Sequence, residues 1–132
     1  MTGAYSRNKG ARGELELCKL LSKHLGGKYT RNLKQYQQSQ EGDIAELVCG
    51  LLIECKNCKA LEIPSWWRQA VAAAQLRGAT PCLAYKVARK GWKFILPTDD
   101  AIKAAQSWSF DLRYTQELYE DGFFLRLREL GG

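Results

Sequence analysis

Two short apolar runs, Ile44 to Val48 and Leu51 to Lys56, flank Cys49-Gly50, and no other feature of the 132 residues constrains the fold so tightly. Runs of this length bounded by a glycine turn predict two strands in close pairing. Gly42-Asp43 precedes the first run, and Glu54-Cys55-Lys56 closes the second. Strand side chains alternate between faces, so Glu54 and Lys56 emerge on one side and Cys55 on the other. Pairing of the two runs brings Asp43 beside them. Two carboxylates and a lysine then converge at the edge of a sheet.

The rest of the chain supplies the layers such a sheet needs. Leu17, Cys18, Leu21 and Leu25 fall on one helical stripe between about Arg12 and Leu25, and Gly26-Gly27 stops the helix. Glu14 lies on that stripe, where a carboxylate needs a cation, a hydrogen bond or a proton. Glu16 reads as a surface i,i+3 partner of Lys19. Lys28 to Arg31 is strand-like, and Asn32 to Gln40 is a polar, glutamine-rich loop. Pro64-Ser65 starts an alanine-rich helix, Trp66 to Arg77, that ends at Gly78. Pro81 to Val87 and Trp92 to Leu96 read as strands around an Arg89-Lys90-Gly91 turn. Thr98-Asp99-Asp100 caps a short helix to about Gln106, and Phe123 to Leu127 reads as an edge strand. The order helix, strands, helix, strands predicts an α/β fold, a mixed central sheet flanked by helices, in one domain over 1–132.

Composition narrows the function classes. No apolar stretch reaches the length of a membrane span, and the polar, basic start lacks the apolar core of an export signal. The expected location is cytoplasmic, in a cell or a host cell, with the five cysteines as reduced thiols. The net charge of +6 favours a polyanionic partner. Basic residues cluster at Arg7 to Arg12, Lys28 to Lys34, Lys56 to Lys59 and Lys86 to Lys93.

Asp43, Glu54 and Lys56 are the primary candidates for chemistry. A carboxylate pair suits magnesium, which takes few protein ligands and keeps several waters. Such an ion polarises a phosphoryl oxygen and acidifies a water, while Lys56 orients that water or offsets charge on the phosphate. A surface Glu-x-Lys pair and a turn Asp are the bland alternative; their place at the ends of successive apolar strands argues against it. Cys55 and Cys58 form a CxxC, but a closed zinc site needs four ligands and no second CxxC or histidine pair is present, so they read as buried thiols. His24, the one histidine, has no nucleophile to pair with. Trp66 and Trp67 suit base stacking or a dimer contact, although at least one belongs in the core. No glycine-rich phosphate loop supports NTP hydrolysis.

Glu14, Gly42-Asp43, Glu54-Cys55-Lys56 and Gln69 resemble the motif of PD-(D/E)XK nucleases. Within that superfamily, residues 7–96 most resemble archaeal-type Holliday junction resolvases and their phage relatives. The resemblance runs through Gly10-Ala11-Arg12-Gly13-Glu14, Thr30-Arg31 and Gln38-Ser39-Gln40. It departs at Gly42, where the family usually has proline, and the segment 97–132 stands as an extension outside it. The resemblance implies a restriction-endonuclease-like fold, with Asp43 and Glu54 as metal ligands and Glu14 assisting directly or through a water. It implies Lys56 as the water-orienting cation, Gln69 hydrogen-bonding the reacting region, and Arg31 and Ser39 near the scissile phosphate. The expected cofactor is Mg2+, with Mn2+ as a substitute. The expected partner is DNA, with four-way junctions cut by a homodimer and Arg7, Lys9, Arg12, Lys34, Lys59, Lys86, Arg89 and Lys90 on backbone phosphates. The alternatives are a restriction- or repair-type nuclease on linear or single-stranded DNA, a non-catalytic nucleic-acid-binding module, or a structural protein with an incidental motif.

Overall fold

A computed structural model describes residues 3–32, 43–57, 61–87, 89–104 and 108–131, with the side chains of 3–10 and 131 outside that description. The chain runs α1 (Gly3–Leu25), β1 (Leu51–Lys56), α2 (Ile63–Arg77), β2 (Thr80–Val87), β3 (Gly91–Pro97), α3 (Asp99–Ala104), β4 (Thr115–Tyr119) and α4 (Glu120–Gly131). The sheet order is β1-β2-β3-β4; β1 and β2 are parallel, joined by the α2 crossover, and the later pairs are antiparallel. This is the expected mixed sheet flanked by helices, consistent with a restriction-endonuclease-like α/β fold. Among the described residues no helix is long and apolar enough to cross a membrane.

Local chemistry sets the element ends. Pro64 sits in the first turn of α2, and Gly78 caps the other end at φ 65°, its N–H donating to the carbonyls of Ala74 and Gln75. Ala101 N–H donates to Thr98 Oγ1 at 3.2 Å, starting α3 as expected. The described part of α3 ends at Ala104, and Gln106 lies outside the described residues. Cys49 and Gly50 both have positive φ (52° and 82°), and Val48 and Leu51 exchange two 2.9 Å backbone hydrogen bonds across them. That is a tight two-residue hairpin of the I′ kind.

Two layers of core separate the faces of the sheet. Leu51, Ile53, Cys55, Cys82, Ala84, Phe94 and Leu96 pack with Leu17, Cys18 and Leu21 of α1 and with Phe123, Phe124 and Leu127 of α4. On the other face, Leu83, Tyr85 and Ile95 pack with Trp66, Trp67, Ala70 and Val71 of α2. Leu52 meets Ala73 and Ala74 there, so Leu52, Glu54 and Lys56 all leave β1 on the α2 side. The alanines let α2 lie close to the sheet, and both tryptophans are core.

Several expectations are corrected. Helix α1 begins at Gly3, well before Arg12, because the apolar stripe marks only the part that meets the core. Lys28 to Arg31 and Ile44 to Val48 are not continuous strands: they pair only at the isolated bridges Arg31–Ile44 and Val48–Leu51. Glu16 meets Lys86 Nζ and the Trp92 indole, which approaches to 3.3 Å, instead of Lys19; the contact to the inner strands β2 and β3 replaces the intrahelical one. Phe123 to Leu127 is helical, and the edge strand is β4. A strand would bury Phe123 and Leu125 together, whereas Phe123, Phe124 and Leu127 are buried and Leu125 is exposed, the spacing of a helix. The polar loop to Gln40, with Lys34, Ser39 and Gly42, and Cys58 and Lys59 lie outside the described residues.

The rings of Phe94 and Phe123 stack with centroids 3.8 Å apart, joining α4 to the sheet. Phe123→Ala is expected to lower stability by about 3–5 kcal/mol, and Leu125→Ala by less than about 0.5, in urea unfolding followed by circular dichroism. Equal losses would contradict the helical placement of this segment.

Candidate active site

The site arises where the ladder beside β1 breaks. After the Val48–Leu51 pair the next backbone bond joins Asp43 N–H to Ile53 O at 3.0 Å. The four residues Ile44 to Leu47 therefore stand opposite the single residue Leu52. A bulge of this kind bends the chain and re-aims a side chain. Here it turns the Asp43 carboxylate back onto β1, where Oδ2 accepts the Cys55 N–H at 2.7 Å. A side chain thus takes the position of a ladder carbonyl, between the two residues of the Glu54-x-Lys56 pair.

Neighbouring segments lock that bend. Asn32 N–H donates to Asp43 O at 2.8 Å and Ala45 N–H to Thr30 O at 2.9 Å. The Glu46 carboxylate accepts both the Thr30 N–H and its hydroxyl at 2.7 Å each. Arg31 is held between these anchors, and its Nε donates to Glu14 Oε1 at 2.8 Å. Gly13 lets α1 come this close: a Cβ there would lie 2.8 Å from Asn57 Cβ, just beyond β1. Glycine inside a helix is disfavoured by about 1 kcal/mol relative to alanine. That cost is the sequence signal that α1 meets another segment at Gly13.

Glu14, Asp43 and Glu54 are 7%, 6% and 7% exposed, three carboxylates withheld from water in one region. Burial pushes the Asp43 carboxyl up, opposed by the Cys55 N–H and raised further by Glu14. Burial also pushes Glu54 up, reinforced by the Asp43 charge and by a hydrogen bond with that carboxyl. The pair therefore shares a proton readily, and an approaching cation can take its place. Lys56, half-buried on the same face as Glu54, draws both carboxyls down. Beneath them the Cys55 thiol is pushed well up, first by burial and then by Asp43, and the Cys18 thiol to about 11. Both are buried, protonated thiols. His24 stacks on Phe124 with ring centroids 4.0 Å apart, a packing role.

The structure thus brings Asp43, Glu54 and Lys56 together and pairs Glu14 with Arg31. Among the described residues no group of three His, Cys, Asp or Glu side chains is placed to hold a metal ion. The donor set is two carboxylates, which fits magnesium, since that ion is bound by one or two carboxylates and keeps several waters. Gln69 is exposed on α2, one position before the buried Ala70. Of the expected phosphate contacts, Arg12, Arg89 and Lys90 are exposed, and Lys86 is half-buried against Glu16. The Arg7 and Lys9 side chains, Lys34, Ser39 and Lys59 lie outside the described residues.

The chain belongs to a family of PD-(D/E)XK nucleases: the family model described as "Phage putative PDDEXK endonuclease" matches residues 5–122. The match extends past Leu96 through β4 and into α4. No curated protein matches the chain.

A carboxyl whose folded pKa is raised binds its proton more tightly in the folded state, so its stabilising effect is lost as the pH rises. In chelator, stability is expected to fall as the pH climbs from about 4, the ordinary carboxylate range, toward the raised values. Asp43→Asn keeps an acceptor for the Cys55 N–H and removes the repulsion. It should flatten that fall and raise stability at pH 8 by about 1–3 kcal/mol, measured by urea unfolding across pH. An unchanged slope would mean that the two carboxyls do not repel.

Proposed function

We propose, from membership of that endonuclease family, that the chain is a magnesium-dependent endodeoxyribonuclease that resolves four-way (Holliday) junctions. The observation that carries the catalytic reading is the buried Asp43–Glu54 pair, formed at the ladder break and followed on the same face by Lys56. Asp43 and Glu54 would hold the ion, and Glu14, already engaged by Arg31, would assist through a water. The chemistry supplied by the ion when bound is polarisation of the phosphoryl oxygen and a more acidic water.

The residues of the chain do the rest. Lys56 orients the attacking water and offsets the charge that grows on the phosphate. Arg31, fixed by its bond to Glu14, stands near the scissile phosphate, and Gln69 contacts the reacting region from α2. Water adds to phosphorus and gives up a proton, one P–O ester bond breaks, and the leaving oxygen takes up a proton, so that one end carries the phosphate and the other a hydroxyl. The whole chain acts as one nuclease domain, with β4 and α4 completing the sheet and its cover.

DNA fits the net charge of +6. Arg12, Arg89 and Lys90, exposed on α1 and the β2–β3 turn, suit backbone phosphates, a mode that reads shape rather than sequence. A four-way junction has approximate two-fold symmetry, and paired incisions need two related sites, which favours a homodimer.

Cleavage of a labelled four-way junction and of linear duplex of the same sequence tests this, with magnesium and with chelator. Paired symmetric cuts in the junction are expected, abolished by chelator and lowered at least about 100-fold by Asp43→Asn and by Lys56→Ala. Metal-dependent cutting of linear DNA alone would move the function to a restriction or repair nuclease. Binding without cutting would leave a DNA-binding module and defeat the catalytic reading.

A further inference from the structure

At the end of β3 away from the carboxylates lies a second constellation. A cavity of about 300 Å³ is lined by Trp67 of α2, Pro97, Ala104 of α3, and Trp108 and Tyr114 of the connection into β4. The two indoles are pinned: Trp67 Nε1 donates to Ser109 O at 3.1 Å and Trp108 Nε1 to Ala79 O at 2.9 Å. Trp67, buried in the core, forms the floor, and the half-buried Trp108, its polar atom engaged, offers a ligand ring surface. Ser109, also in the lining, accepts the Asp111 N–H through its hydroxyl and keeps a proton to donate.

Around the mouth, large rings stand in solvent beside guanidinium groups. Phe110 is 48% and Tyr114 55% exposed. The Arg68 guanidinium lies over the Phe110 ring, 5.7 Å from its centroid, while Arg113, exposed between these aromatics in the chain, is held by the Asp111 carboxylate at 2.7 Å. Fixed rings beside cations are what proteins present to an unpaired strand, with bases on the rings and phosphates on the cations. Arg68 stands on α2, the same helix that covers the sheet face carrying Glu54 and Lys56.

The chemistry selects the occupant. An uncharged, ring-lined cavity beside the Arg68 guanidinium fits a planar, uncharged group carried on an anionic backbone. A nucleobase meets each requirement once it leaves its stack; a closed duplex has none to offer without the cost of unstacking. We propose that this surface is a second nucleic-acid site, taking a nucleobase unstacked from a single strand or a branch point. The inference rests on the nuclease reading and gives it a physical source of structure preference.

The probes are a single-stranded oligonucleotide carrying 2-aminopurine, a four-way junction and a linear duplex, all titrated in chelator so that nothing is cut. The variants are Phe110→Ala and Tyr114→Ala, which remove exposed rings, and Ala104→Trp, which fills the cavity from an exposed position. Binding of the unaltered protein should quench the 2-aminopurine. Each variant should weaken single-strand and junction binding roughly tenfold and change duplex binding by less than about twofold. Equal affinities of variants and unaltered protein for the single strand, or an equal loss on duplex, would overturn the site. If junction cutting persists in either case, the nuclease reading stands. Failure of the unaltered protein to bind any of the three DNAs would defeat both. Loss of self-association with DNA affinity intact would assign the surface to a second copy of the chain and overturn the proposal.

Discussion

The hydrogen bond from Cys55 N–H to the Asp43 carboxylate is the contact on which the site depends. It exists because the segment before β1 carries four residues opposite one, so the backbone cannot continue its ladder. A side-chain oxygen satisfies the exposed N–H instead, as a buried donor requires. That substitution carries a negative charge to the middle of Glu54-Cys55-Lys56. A regular strand at 43–48 would satisfy the same N–H with a carbonyl and leave the carboxylate elsewhere.

Close approach from both faces makes the break durable. Ala70, Ala73 and Ala74 bring α2 onto the face that carries Glu54 and Lys56. Gly13 brings α1 against Asn57, so that Glu14 meets Arg31. The Glu46–Thr30 clamp fixes the backbone on which Arg31 stands. Together these contacts decide which charges surround the Asp43–Glu54 pair.

Much of this was legible in the sequence, for identifiable reasons. Strand β1 was read to the residue, because an apolar run closed by Glu-x-Lys and opened by a glycine turn leaves little freedom. Gly78 and Pro64 marked the ends of α2 through backbone constraints that context rarely overrides. The bulge was not legible: Ile44 to Val48 has strand composition, and only the tertiary bonds of Asp43 and Ala45 show that it bends. Phe123 to Leu127 is ambiguous because Phe123, Leu125 and Leu127 fit strand alternation while Phe123, Phe124 and Leu127 fit a helix face, and so short a run cannot separate the two. Glu16 meets Lys86 because a contact from α1 to the inner strand β2 lies beyond any local spacing rule.

Counting charge explains why this cluster suits phosphodiester chemistry under the proposed reading. Glu14, Asp43 and Glu54 carry three negative charges when ionised, and Arg31 and Lys56 return two positive ones. The region is left one positive charge short, in surroundings where an unmatched buried charge is costly. A proton shared by Asp43 and Glu54 closes that gap and leaves the cluster neutral, with no attraction for a phosphate. A dication in place of the proton overshoots by one. The cluster then carries a single positive charge, which one phosphodiester neutralises. Under that reading the pair would discriminate between proton and dication: only the dication would create a demand for the substrate's charge, and Lys56 leaves β1 on the same face as Glu54.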